Sequence, residues 1–442
     1  MSQSKDKETS AVPSGRLSRF AKLGSLATGV AGGMLAEGAR QLAQGNRPKA
    51  SEMLLTPANA RRIADQLSQL RGAAMKVGQL MSMDTGDLLP KELTDILSRL
   101  RADAKSMPLS QLNVVLEAEW GKGWSMRFKQ FSFEPVAAAS IGQVHSAHTK
   151  DGRHLALKVQ YPGVRESINS DVDNVATLLR VSGLIPKTLD YKPLLEEAKQ
   201  QLHAEADYQQ EAMWLQRYRA LLADSDGFIL PDIYEDLTTK NILAMSFVEG
   251  SPIEALEHAP QADRDHAISL LLSLLFREIF EFQLIQTDPN FANYRYQSES
   301  KKLILLDFGA TREYPSNIAH AYYQMMQAGV HNNRAGMQEA ANAIGFFEQD
   351  IKPEQREAVI DLFACACEPL HYKGVYDFGQ AKIAERIKDA GMKLSMEQGY
   401  WHTPPADALF LHRKLGGLYL LAARLKAHIN VRELFLAIKP PM

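Results

Sequence analysis

The stretch Leu303-Ile304-Leu305-Leu306-Asp307-Phe308-Gly309 is an apolar run that ends in an acid and, two residues on, a glycine. Four successive aliphatic residues suit a buried strand, and the glycine suits a tight turn directly after it. Asp307 is therefore expected at a strand end, where a carboxylate can reach a ligand. Nineteen residues upstream, Gln286-Thr287-Asp288-Pro289-Asn290-Phe291-Ala292-Asn293 carries a second acid and, five residues after it, an amide. Asn293 and Asp307 would supply the hard oxygen donors that magnesium takes on nucleotide phosphates. Asp288 would orient the acceptor. A lone Asp-Phe-Gly is more often a strand-end turn than a metal ligand; Asp288 and Asn293 at this spacing outweigh that bland reading.

The same Asp-to-Asn spacing followed by the same triplet marks the catalytic and metal-binding loops of protein kinases. Upstream, Glu134 to His145 reads as a loop entering a strand, Lys150-Asp151-Gly152-Arg153 as a hairpin turn, and His154-Leu155-Ala156-Leu157-Lys158-Val159-Gln160 as the return strand. Alternation puts Ala156, Lys158 and Gln160 on one face and Leu155, Leu157 and Val159 on the other. In the kinase layout a lysine on this strand grips the phosphates. The loop Ala137-Ala138-Ala139-Ser140 stands where a phosphate-covering loop belongs, but is rich in alanine where a protein kinase has glycines. Without the downstream loops, an ordinary hairpin with an exposed lysine would be the better reading.

A long helix is predicted over 191–222, carrying Glu205, Asp207 and Glu211. The layout needs one helix glutamate to pair with the strand lysine, and either Glu211 or Glu205 fits. Residues 228–233 and 241–248 read as strands. Phe247-Val248-Glu249-Gly250 reads as an inter-lobe hinge, with the backbone at Phe247 and Val248 as the place for an adenine edge. Residues 263–284 read as a helix leading into the Asp288 loop.

The 442 residues suffice for two or three packed units, and 45% hydrophobic with 23% charged residues is ordinary globular composition. With Lys+Arg 50 against Asp+Glu 52, nothing global points to nucleic acid. Cys365 and Cys367 are the only thiols, so neither a disulfide framework nor a four-ligand zinc site is expected, and a reducing compartment fits. No apolar run reaches the roughly 18 residues of a membrane span. The polar N-terminus, with no signal-peptide core, predicts a cytoplasmic protein.

Residues 1–15 read as a disordered tail. Beyond them Arg16, Arg19 and Lys22 alternate with Leu17, Phe20, Leu23 and Leu26, before Gly29, Gly32 and Gly33. This is either a basic amphipathic helix on a membrane surface or a helix packed closely through its glycines, and both readings stay open. Thr56-Pro57 starts a helix, in which Ile63, Leu67, Leu70, Ala74, Val77 and Met81 form one buried stripe flanked by Lys76 and Gln79. A short helix is expected over 91–100, and another from Pro108 to about Glu119. After Gly309 the chain reads as helices over 322–330, 334–344, 354–367, 379–391 and 409–427. No Ala-Pro-Glu signal follows, which counts against a peptide substrate.

Met75-Lys76-Val77-Gly78-Gln79, the Ala137-Ala138-Ala139-Ser140 loop, Leu155 to Lys158, Glu205-Ala206-Asp207, Thr287-Asp288-Pro289-Asn290 and Asp307-Phe308-Gly309 occur in the order seen in the UbiB family. These are atypical kinase-like proteins that support coenzyme Q (ubiquinone) biosynthesis, and the resemblance covers roughly residues 16–430, including Leu411-His412-Arg413-Lys414-Leu415-Gly416-Gly417. It implies that Lys76, with Glu205 and Asp207, occupies the space of a peptide substrate. It also implies that the alanine loop disfavours productive ATP binding relative to a glycine loop, and that Lys158 pairs with Glu211. Gln286 departs from the histidine of many relatives, and the C-terminus lacks the hydrophobic hairpin of some bacterial members.

The resulting expectation is an α+β, bilobal protein-kinase-like fold with an added N-terminal helical extension. Its parts would be a tail (1–15), the extension with the Lys-x-Gly-Gln motif (16–125), a nucleotide lobe with inserted helices (126–250) and a helical lobe (251–442). The expected activity is that of a kinase-like ATPase using ATP and Mg2+ in ubiquinone biosynthesis at a membrane surface. Lipid or quinone-pathway intermediates and biosynthetic enzymes would be its partners. A small-molecule phosphotransferase and a non-catalytic nucleotide-binding scaffold are the alternatives.

Overall fold

The computed structural model describes residues 32, 39–41, 67, 70–84, 107–181, 192–348, 350–396, 399–400 and 404–441. The tail, the basic segment from Arg16, the Thr56-Pro57 helix start and the 91–100 helix lie outside or almost wholly outside these residues. In chain order the elements are α1 (Arg71–Asp84), α2 (Leu109–Trp120), β1 (Phe128–Phe131), β2 (Ala137–Ala138), β3 (Gly142–Thr149), β4 (His154–Gln160), α3 (Val164–Val181), α4 (Lys192–Glu205) and α5 (Tyr208–Leu221). Then come β5 (Phe228–Ile229), β6 (Ile242–Ser246), β7 (Ser251–Pro252), α6 (Gln261–Arg277), β8 (Leu284–Gln286), β9 (Tyr294–Gln297), β10 (Lys302–Leu305) and β11 (Thr311–Glu313). The chain ends with α7 (Ser316–Val330), α8 (Arg334–Ile344), α9 (Pro353–Ala366), β12 (Tyr376–Asp377), α10 (Ile383–Met396), α11 (Ala406–Arg424), β13 (His428–Ile429) and α12 (Val431–Leu436). Among the described residues no helix is long and apolar enough to cross a membrane.

Two compact units result: Met1–Ala212 with Asp232–Phe247, and Met213–Pro231 with Val248–Met442. The first contains an antiparallel sheet in the order β1-β3-β4-β6, with β2 paired to β3. Strand alternation divides its two cores. Leu155, Leu157 and Val159 pack with Trp120, Trp124, Phe128, Ile242 and Ala244 on one side. On the other, Leu243 and Met245 join Ala74 and Val77 of α1, Val172 of α3, and Ala198 and Leu202 of α4, with Ala156 packed against them. Leu67, Leu70, Ala74 and Val77 of the expected stripe are all buried there, so α1 is held by the period-3.6 burial its sequence dictates.

In the second unit β5, β10, β9 and β7 form a sheet. Lys302–Leu305 is the strand expected before Asp307, and Leu303 and Ile304 are fully buried. A separate two-stranded sheet pairs β8 with β11, setting Gln286 opposite Thr311. Phe276 and Phe280 pack with Phe435, and Phe280 and Phe435 also meet Tyr323.

Several expected elements are revised. The helix over 191–222 is two helices, because the chain leaves α4 after Glu205 and restarts at Tyr208. Asp207 Oδ1 accepts from the Gln210 N–H at 3.2 Å and so caps the restart. Asp207 therefore stands outside the helix that carries Glu211. The helix over 263–284 ends at Arg277 and widens into a π turn over Glu278–Phe282, and Leu284 already belongs to a strand. The strand over 228–233 shrinks to Phe228–Ile229 plus a single bridge from Ile233 to Met245.

Candidate active site

In the first unit, Lys158 and Glu211 are both buried and form an ion pair at 2.5 Å. Strand alternation aims Lys158 at the helical side of the sheet, and Glu211 lies in the first turn of α5. A carboxylate there also complements the positive end of the helix dipole. Gln160, two residues on and on the same face, donates to the Ala206 carbonyl at 2.7 Å and fastens β4 to the α4–α5 break.

Glu205 serves a different lysine. Lys76 of α1 is buried and forms an ion pair with Glu205, whose second oxygen accepts from Ser140 Oγ at 2.5 Å. The alanine loop is a tight hairpin: Ala137 and Ala138 pair with Val144 and Gln143, and the Ala139 N–H donates to the Gly142 carbonyl at 3.0 Å. Ala137 and Ala138 are exposed and Ala139 is half-buried. Gly72 of α1 approaches the Ser140 carbonyl so closely that an added Cβ would lie 2.8 Å from it. Lys76, Glu205, Ser140 and Gly72 thus bind α1, the α4 end and the alanine loop into one cluster. Asp207 lies at its edge, 3.5 Å from Arg165. The Gln79 side chain is outside the described residues. At the end of this unit Phe247 stacks on His154 with ring centroids 4.3 Å apart, and its N–H donates to the His154 carbonyl at 2.9 Å.

The second unit holds the acids of the two loops. β9 and β10 pair antiparallel with Leu305 opposite Tyr294. One step further the Leu306 N–H donates to the Asn293 carbonyl at 3.1 Å. That bond sets Asn293 and Asp307 at adjacent positions of one hairpin. Asp307 Oδ1 accepts from the Gly309 N–H at 3.1 Å, fixing the carboxylate over its own turn. Asp288 Oδ1 accepts from the Asn290 N–H, and Asn290 Oδ1 from the Ala292 N–H, both at 3.2 Å, so the Asp288 loop is built of successive side-chain turns. Asn293 is buried, and its Nδ2 has no hydrogen-bond partner among the described residues. The Val248 side of the expected hinge is tied down by Arg295 Nε, which donates to the Gly250 carbonyl at 2.8 Å.

Magnesium and ATP can be tested against these groups. An amide and a carboxylate on neighbouring positions of one hairpin are hard donors of the type magnesium takes, water and phosphate being its usual other ligands. The residue types present fit the group. Gln286 is buried, and both its amide N and O lack a hydrogen-bond partner among the described residues. Its register partner Thr311 is likewise buried, with Oγ1 unpaired.

Sequence reasoning missed three residues behind the Asp288 loop. Glu278, in the π turn, is buried together with Lys414 of α11, and the two form an ion pair. The Tyr218 hydroxyl donates to Glu278 Oε1 at 2.7 Å. Burial pushes the Glu278 carboxyl up and the Lys414 ammonium down, each opposed by the other's charge, and holds the Tyr218 phenol protonated. The one sequence hint was the Arg413-Lys414 doublet inside an apolar helix.

The family model of the ABC1 atypical kinase-like domain matches residues 99–341. The atypical kinase COQ8, mitochondrial, of Saccharomyces cerevisiae is 36% identical over 433 residues, covering 97% of this chain and 85% of that protein. The atypical kinase COQ8B, mitochondrial, of Rattus norvegicus is 38% identical over 426 residues, covering 96% and 80%. Among solved structures, the complex of Rv3197 with erythromycin from Mycobacterium tuberculosis aligns with a TM-score of 0.60 at 23% identity, over 85% of this chain and 94% of that one. This likeness concerns the fold, which is α+β and kinase-like.

Proposed function

The chain belongs to the ABC1 atypical kinase-like family, the UbiB family its motifs resemble, and from that premise we propose that it is an ATPase or phosphotransferase using Mg-ATP in ubiquinone biosynthesis. The observation that carries the proposal is the Leu306-to-Asn293 backbone bond, which puts two hard oxygen donors at adjacent positions directly after a buried strand. Asn293 and Asp307 would hold magnesium, which supplies charge neutralisation on the phosphates. Lys158, oriented by Glu211, engages phosphate oxygens. The Ala137–Ser140 backbone would cover them, and the backbone at Phe247 and Val248 would take the adenine edge. Asp288 orients the attacking hydroxyl and takes its hydrogen bond. The Lys76–Glu205–Ser140 cluster supports a regulatory role for Lys76, Gln79, Glu205 and Asp207, since it joins the extension to the phosphate loop.

Thermal unfolding with and without Mg-ATP tests the binding step. Wild type should melt higher with Mg-ATP and Lys158→Met should lose most of the shift; equal shifts in both would refute Lys158 as a phosphate ligand. A small-molecule phosphotransferase without this regulation would keep its rate in Lys76→Ala. The membrane-surface part of the proposal rests on the basic segment from Arg16. It predicts co-sedimentation with anionic liposomes that is lost in a version lacking residues 1–45, and it falls if neither form sediments.

A further inference from the structure

Beneath the Asp288 loop lies an ionic group that packing alone does not require. Taking Glu278 and Lys414 out of water is costly, and an apolar pair of similar volume would fill the core as well. The carboxylate joins α11 on one oxygen to β8 and Tyr218 on the other. Glu278 Oε2 meets Lys414 Nζ. Its Oε1 accepts from the Tyr218 hydroxyl at 2.7 Å and from the Gln286 N–H at 3.3 Å. The Tyr218 oxygen also lies 3.0 Å from the Leu284 carbonyl. Both ends of β8 are thereby held, and Gln286 is two residues before Asp288.

The same helix touches the other side of that acid. Lys414 and Gly417 are three apart on α11 and share a face. A Cβ on Gly417 would lie 2.6 Å from Pro289 Cβ, so the helix backbone rests directly against the residue after Asp288. Glu278 is the first residue of the π turn Glu278–Phe282 that follows α6, and it is buried there.

We propose that α11 is the positioning element for Asp288, acting before it through Lys414, Glu278 and the Gln286 N–H, and after it through Gly417 on Pro289. Tyr218, Glu278 and Lys414 are positioning residues: none is assigned contact with nucleotide or acceptor. The catalytic part of this inference rests on the Mg-ATP reading above, whereas the placement of the loop does not.

Two double variants separate charge from placement. Glu278→Gln with Lys414→Met removes both charges but keeps an acceptor for the Gln286 N–H. Glu278→Leu with Lys414→Met removes the acceptor as well and leaves a buried donor unpaired. Hydrogen exchange over residues 284–293 should quicken about threefold in the glutamine variant, which loses the Lys414 link but keeps the acceptor, and about tenfold in the leucine variant, which loses both. On Mg-ATP, kcat should fall about tenfold in the leucine variant with KM nearly unchanged, the signature of a lost transition-state interaction. Equal exchange and equal kcat in the two variants would overturn the proposal. If the leucine variant does not fold, Tyr218→Phe decides: faster exchange over 284–293 supports it and wild-type exchange overturns it. If wild type releases no phosphate, the Mg-ATP reading fails while exchange still decides the placement.

Discussion

Buried Lys76 and partly buried Glu205 form an ion pair between a helix of the N-terminal extension and the end of α4, and the same carboxylate accepts a hydrogen bond from the Ser140 hydroxyl in the alanine loop. Removing one partner strands the other in a place water reaches poorly. Lys76→Ala should therefore lower unfolding free energy by about 3 kcal/mol. The double change Lys76→Met with Glu205→Gln should recover most of it. Urea denaturation measures both, and a single variant as stable as wild type would refute the ion pair.

Gly72 and Ser140 make a steric version of the same contact. An added Cβ at Gly72 meets a backbone carbonyl at 2.8 Å rather than a flexible side chain. Gly72→Ala should cost about 1–3 kcal/mol despite the better helix propensity of alanine, read as a fall in melting temperature.

Adjacent glycines of α11 should behave oppositely. Gly416 has open space where a Cβ would go, so Gly416→Ala should stabilise by about 0.5–1 kcal/mol. Gly417→Ala drives a methyl into Pro289 and should displace the Asp288 loop, lowering turnover about tenfold or more. Parallel melting and phosphate-release assays distinguish the pair; identical behaviour would contradict the close approach.

His412 ties acid stability to the helical unit. Its Nε2 lies 3.0 Å from the Tyr322 hydroxyl, and Phe346 stacks on the ring at 5.3 Å. Burial brings its pKa down to about 4. The folded protein therefore resists a proton that the unfolded chain accepts near 6.5. The resulting stability is fully present above pH 6.5 and is lost as pH falls toward 4, by at most about 3 kcal/mol. In His412→Phe the slope between pH 6.5 and 4 should flatten, as followed by chemical denaturation at each pH.

The strands and loops that bear Lys158, Asp288, Asn293 and Asp307 were legible because local pattern dictates them: alternation in β4, an aliphatic run in β10, fixed spacing in the loops. The choice between Glu205 and Glu211 was not, because it depends on the break between α4 and α5. A signal for that break exists in Asp207-Tyr208-Gln209-Gln210, an acid followed three residues later by glutamine, but continuous helix propensity on both sides masked it. Glu278 and Lys414 are 136 residues apart and meet only through a π turn that no periodicity announces. Their contact is a product of tertiary packing alone.

The most direct measurement is phosphate release from ATP by the purified protein, with and without magnesium and anionic liposomes, beside Asp307→Asn. The Mg-ATP reading predicts magnesium-dependent release that falls about a hundredfold or more when Asp307 loses its charge. Release indifferent to Asp307, or none under any condition despite bound nucleotide, would contradict it.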